Sequence, residues 1–162
     1  MIGYDEALAH ILREARPRPV APRTPMPGQV LAEGVASGED LPPFDNSAMD
    51  GFALRVGEAG IAAGAEFDVL GAQAAGDAQV AAHAGAWEIM TGARIPDGLD
   101  AVIPVEQVEV LARDTDGKPA RIRLAAALPR GQHVRRAGED VRRGEPVLAA
   151  GTRLDAQHLM LL

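Results

Sequence analysis

The chain opens with apolar residues at helical spacing. Ala7, Leu8, Ile11, Leu12 and Ala15 fall on one stripe between Tyr4 and Arg16. Asp5 and Glu6 stand in the first turn and Arg13 and Arg16 in the last, the arrangement a helix dipole favours. Pro17 and Pro19 stop this helix, and the prolines from Pro17 to Pro27 predict a stiff, extended connector. A short helical turn is expected around Gly28 to Glu33. From Gly51 the period changes. Short β-favouring runs at Phe52 to Val56, Glu66 to Leu70, Trp87 to Met90, Ala101 to Val105, Val108 to Leu111 and Arg121 to Leu124 are separated by Gly, Pro and Asp. Asp114 to Lys118 contains Asp-Gly and reads as a hairpin turn. Strands at this spacing predict a small antiparallel sheet or barrel, not a parallel βαβ sheet. The glycine-punctuated stretch from Gln132 to Gly151 is expected to be extended, and Asp155 is placed to cap a helix beginning at Ala156.

That last helix carries an apolar run, Leu159 to Leu162, with no Gly, Asn or basic capping signal after it. An apolar face must bury against something, so the chain is expected to be the front part of a longer protein. If the two terminal helices pack together, the fold is α+β: an elongated, discontinuous first domain from residues 1–44 and 141–162, with a β-rich domain, 45–140, inserted into it.

Composition narrows the classes. With 162 residues the chain is long enough to bury a core of its own. No apolar run approaches the roughly 20 residues of a membrane span, and no basic-then-apolar leader opens the sequence. Cysteine is absent, which removes disulfides, thiolate zinc sites and cysteine nucleophiles. A cytoplasmic location is therefore expected, with no membrane partner. The net charge of −7 and an aromatic share of 3% argue against a nucleic-acid surface, though a few local donors can still hold a small anion.

Standard signatures fail. Gly117-Lys118 leads into Pro119, so there is no phosphate-binding P-loop, and neither G-x-G-x-x-G nor G-x-S-x-G occurs. The run from Asp45 to Val56 puts Met49 and Val56 where a calcium loop needs oxygen ligands. His10, His83, His133 and His158 are isolated, and read as surface or packed side chains rather than ligands. Three segments remain. Pro42 to Phe52 is either an Asx-type turn before a strand or a rigid loop presenting Asp50 to a cation or water. Ile89 to Pro96 is either a turn or a place where the Thr91 hydroxyl and neighbouring amides meet an oxyanion. Val134 to Val141 is either a surface ion-pair cluster or guanidinium groups beside acids, suited to a phosphate with magnesium.

In this order and spacing the segments resemble the N-terminal region of the MoeA/gephyrin family, the molybdopterin molybdenumtransferases. The matching elements are Pro43-Phe44-Asp45-Asn46-Ser47-Ala48-Met49-Asp50-Gly51-Phe52-Ala53, Ile89-Met90-Thr91-Gly92-Ala93, Asp100-Ala101-Val102 with Glu106, and Gly138-Glu139-Asp140-Val141 followed by Gly151-Thr152-Arg153-Leu154. Arg94 departs from the small residue or proline expected there. The resemblance implies an enzyme that inserts molybdate into adenylylated molybdopterin with release of AMP, using Mg2+ or a similar ion. It further implies a homodimer of four-domain subunits, whose cleft forms between this region of one subunit and the pterin-binding domain of the other. The pterin-binding domain and a final β-barrel lie beyond the matched region, so the chain alone is expected to be inactive. A molybdopterin adenylyltransferase is a further expected partner.

The resemblance implies Asp50, Thr91 and Asp140 as catalytic residues, with Ser47, Gly92 and Arg136 as supporting substrate or phosphate contacts. Asp50 and Asp140 are the metal-ligand candidates, Thr91 and the Gly92 amide would meet an oxo group, and Arg136 would grip phosphate in two-pronged fashion. Two other classes stay open: a non-enzymatic dimerising scaffold, and an unrelated carboxylate–metal hydrolase working through Asp50 and Asp140.

Overall fold

A computed structural model describes residues 2–16, 18–82 and 84–162. Pro17 as helix stop and the isolated His83 therefore lie outside the described residues. The chain divides into two compact units, one from residues 1–35 and 146–162, the other from 36–145. A β-rich unit is thus inserted into a discontinuous one. The division falls outside the expected 45–140, because 36–44 and 141–145 are hydrogen-bonded to each other. Ser37 N–H donates to the Glu145 carbonyl and Leu41 N–H to that of Val141, at 2.9 and 2.7 Å.

The first unit holds helix α1, Tyr4–Glu14. Its periodicity forms the expected helix, yet it buries no residue, and Ile11 and Leu12 are each 66% exposed. The expected helix at Gly28 to Glu33 does not form: a hydrogen-bonded turn at Pro27–Gly28, with Gly28 at φ 86°, leads into a non-helical stretch. Gly28 and Leu31 donate to Leu154 and Thr152, while Gly151 and Leu154 donate to Leu31 and Gln29. This ladder, and not packed terminal helices, joins the unit's two chain segments. The helix expected after Asp155 is a single 3-10 turn, His158–Met160. Asp155 accepts from the amides of Gln157 and His158 at 2.9 and 3.1 Å in the turn that leads into it, although the residue at its N-cap is Gln157. So short a turn has little helical stability of its own.

Short strands β1, Val35–Ala36, and β10, Pro146–Leu148, pair where the chain enters and leaves the second unit. Within that unit β2, Asn46–Ser47, pairs with β9, Val134–Arg135. The main sheet holds β3 (Gly51–Leu54), β4 (Glu66–Gln73), β5 (Ala86–Ile89), β6 (Ala101–Pro104), β7 (Val108–Arg113) and β8 (Pro119–Leu124), in the order β6-β3-β5-β4-β8-β7. All six strands lie where the apolar runs predict them. The sheet is not purely antiparallel, because β4 and β5 run parallel. Their connection, Ala74 to Gly85, is long enough to cross over, although its described residues form no helix. The turn at Asp114 closes as expected, with the Asp114 carboxylate accepting from the amides of Asp116 and Lys118.

The core lies on both faces of β3 and β6. Phe52, Leu54, Ala101 and Ile103 pack with Ile122, Leu124 and Leu128, while Ala53 and Val102 turn to the other face with Ile89, Ile95 and Leu99. Successive side chains alternate across a strand, so a strand buried on both faces must be apolar throughout. The Gly-Phe-Ala-Leu run of β3 meets that demand. At its start, a Cβ on Gly51 would come 2.0 Å from the Ile103 carbonyl oxygen, so only glycine allows β6 this close.

Candidate functional site

Asp50 leaves the sheet just before β3, and Thr91 leaves it shortly after β5. Gly51 pairs with Ile89 in the antiparallel register, so both side chains emerge at the same end. The turn that delivers Asp50 is tied by Ser47, whose hydroxyl donates to the Met49 carbonyl at 2.6 Å and accepts from the Met49 amide at 3.3 Å. The turn that delivers Thr91 closes from the Ala93 amide to the Met90 carbonyl at 3.0 Å, with Gly92 at φ 79°. A type II turn needs positive φ at its third residue, which glycine supplies without strain.

The two meet directly. Asp50 Oδ1 accepts the Thr91 backbone N–H at 2.6 Å and the Thr91 hydroxyl at 2.8 Å. These two bonds hold the Asp50 carboxyl below the usual carboxylate range. The result is an exposed, ionised carboxylate clamped by neutral donors, with no cation in ion-pair range among the described residues.

Asp140 is held differently. Its backbone N–H donates to the Leu41 carbonyl at 2.9 Å, and its Oδ2 accepts from the Arg135 guanidinium. No hydrogen bond or ion pair joins it to Asp50 or Thr91 among the described residues. Arg136, not Arg135, is the expected phosphate contact. Arg135 ends β9 and Arg136 lies just beyond it, so the pair of arginines does not by itself tell which one meets Asp140. Arg135 turns to Asp140, whereas Arg136 Nη1 donates to Asp45 Oδ2 at 2.6 Å. Burial pushes the Asp45 carboxyl up, but the Ala137 amide and Arg136 outweigh it, and Asp45 sits below the ordinary value.

The remaining supporting residues are committed within the chain. The Gly92 amide donates to the Ser47 carbonyl at 2.8 Å, so it is not free for an oxo group. The buried Ser47 hydroxyl is spent on Met49. Both build the loop that carries Asp50 and Thr91.

A magnesium ion can be tested against these donors. No group of three or more His, Cys, Asp or Glu able to hold a metal occurs among the described residues. Magnesium is often held by one or two carboxylates together with substrate phosphates and water. Asp50 fits that pattern, because it is ionised and keeps one carboxylate oxygen outside the Thr91 clamp. Asp140 also keeps Oδ1 outside its contact, but the Arg135 guanidinium offsets its charge and makes it the poorer ligand.

A family model described as the MoeA N-terminal region (domain I and II) matches residues 2–162. The chain belongs to the MoeA family. It is 37% identical over 171 residues to a molybdopterin molybdenumtransferase of Synechococcus elongatus, covering 99% of this chain and 41% of that protein. It is 38% identical over 136 residues to the protein of that name from Haemophilus influenzae, covering 83% of this chain and 32% of that one. Among solved structures, a molybdopterin biosynthesis MoeA protein from Pyrococcus horikoshii OT3 is similar at TM-score 0.70 and 36% identity, covering 83% of this chain and 35% of that one. The chain therefore spans well under half the length of these relatives. No helix among the described residues is long and apolar enough to cross a membrane.

Proposed function

We propose that this chain forms the N-terminal region of a molybdopterin molybdenumtransferase, which inserts molybdate into adenylylated molybdopterin and releases AMP. The observation that carries this reading is the Asp50–Thr91 clamp: an exposed, ionised carboxylate fixed at a sheet end, within a chain matched to the MoeA family over nearly its whole length. A structural turn needs no free charge at such a place. Thr91 orients one carboxylate oxygen and leaves the other for ligand, while Gly92 and Ser47 keep both turns rigid. Asp50 would hold Mg2+, which when bound supplies positive charge against phosphate oxygens. Asp140 and Arg135 act as a neutral pair that shapes the neighbouring wall.

The reaction is completed in a homodimer, in a cleft shared between this region of one subunit and the pterin-binding domain of the other. A molybdopterin adenylyltransferase supplies the adenylylated substrate, and the enzyme works in the cytoplasm. The relatives' greater length supports the need for further chain.

A chimera in which this chain replaces the matched region of the Synechococcus elongatus relative tests the function. It is expected to convert adenylylated molybdopterin and molybdate to active cofactor, while the 162-residue chain alone shows no turnover. A folded chimera without activity, or clear turnover by the chain alone, would sink the reading. For the shared cleft, Asp50→Ala subunits are mixed with subunits mutated in the pterin-binding domain. Random pairing should then restore about a quarter of full activity, since half the dimers are mixed and half their sites are whole. No recovery despite exchange confirmed by mass would exclude a shared cleft.

A further inference from the structure

Beside the Asp50 turn the second unit carries a cleft of about 380 Å³, walled by Pro43, Phe44, Arg94, Pro96, Asp97 and Leu99. That volume lies in the range of small-molecule sites and well above the space one water needs. Its charges are unevenly engaged. Asp45, also at the wall, is neutralised by Arg136 and the Ala137 amide. Asp97 accepts a short hydrogen bond of 2.5 Å from the Gln79 side-chain amide. Arg94 has no acid in ion-pair range and no side-chain hydrogen bond among the described residues. Its guanidinium lies 5.4 Å from the centre of the Phe44 ring.

Stacking on an aromatic face fixes a guanidinium while leaving its edge N–H groups free to donate. Half-buried, Arg94 also loses less to solvent screening than a surface arginine. The uncommitted carboxylate oxygen of Asp97 disfavours a free, multiply charged ion, so a phosphate needs apolar contact as well. Phe44, Pro43 and Pro96 supply flat apolar surface for it. The geometry points to an anion subsite: Arg94, held by Phe44, takes a phosphate group on a ligand that also lays a planar ring against the cleft wall. Thr91 and Arg94 are separated by at most roughly 10 Å of chain, so one extended ligand can touch both. For its natural ligand this rests on the proposed function, since adenylylated molybdopterin carries both phosphate and rings; the anion site itself does not.

The test titrates AMP and inorganic phosphate into the purified 162-residue chain, followed by amide chemical shifts. AMP should perturb Phe44, Arg94, Ile95 and Gly98 at a dissociation constant near ~1 mM or below, and bind more tightly than inorganic phosphate. Arg94→Ala should weaken AMP by about tenfold or more, the loss expected for one charge-assisted hydrogen bond. Arg94→Lys should restore part of that loss. Absence of shifts at these residues, AMP binding unchanged in Arg94→Ala, or phosphate binding as tightly as AMP would each overturn the proposal. Intact AMP binding with an inactive chimera would leave this site standing and sink the proposed function instead.

Discussion

Asp50 and Asp140 are both acids in glycine-flanked loops of the same unit, and the structure treats them in opposite ways. Asp50 is clamped by an amide and a hydroxyl, both neutral, so its position is fixed and its negative charge stays on display. Asp140 is fixed by the Arg135 guanidinium, so its charge is cancelled where it stands. Neutral donors orient a carboxylate without consuming its charge, whereas a guanidinium orients it and neutralises it together. The comparison teaches that two acids of equal standing in a motif can differ completely in what they offer a ligand.

The strongest way to break this contrast is to move the platform under Asp50. Gly51→Ala would drive a Cβ into the Ile103 backbone, which cannot yield without parting β3 from β6. We expect a loss of about 3 kcal/mol or more, or failure to fold, measured by urea unfolding. An unchanged midpoint would mean that the strand junction is looser than described. A second, smaller effect separates the two acids by charge. In the chimera, Asp50→Asn should lower molybdenum insertion by about a hundredfold, with stability altered by less than about 1 kcal/mol. Asp140→Asn leaves Arg135 uncancelled, and adding Arg135→Gln should recover about tenfold of the activity lost. No such rescue exists for Asp50→Asn. If the double variant is no better than Asp140→Asn alone, Asp140 acts through its own charge.

The smallest effect concerns protons. Thr91→Val removes the hydroxyl bond, so the Asp50 carboxyl should move up toward its ordinary value of 3.8, read by carbon NMR titration. Because the folded value lies below that figure, the clamp's contribution to stability is present above pH 3.8 and is lost as pH falls through the folded value. Thr91→Val should flatten this acid limb. A carboxyl that titrates unchanged in the variant would show that the backbone amide alone sets it.

The strands were legible from their short β-favouring runs, most plainly the two whose apolar residues fill both faces, Phe52 to Leu54 and Ala101 to Ile103. The parallel pairing of β4 with β5 was not, since the segment between them has no helical period to announce a crossover. Helix α1 shows the reverse case: its stripe predicts a helix correctly but cannot name what the stripe faces. At the site, Asp50 and Thr91 were found through the motif resemblance, while their local residues alone suited ordinary turns equally well. Which arginine faces Asp140 depends on the strand's facing, and Arg135-Arg136 reads the same in either register. The commitment of the Gly92 amide is a backbone bond, invisible to side-chain chemistry, and that of the Ser47 hydroxyl depends on the local turn that brings Met49 back to it.

The inserted arrangement also dictates an order of events during synthesis. Residues 36–145 emerge from the ribosome before Pro146 to Leu162 do, and only the latter can pair with Gly28 to Leu31. The inserted unit can therefore form its sheet while the first unit still waits for its second half. Closing that first unit joins segments far apart in the chain, and an inserted unit already folded shortens the effective loop between them. A substitution that slows the sheet, such as Gly51→Ala, should then delay the first unit too, although no atom of Gly51 belongs to it.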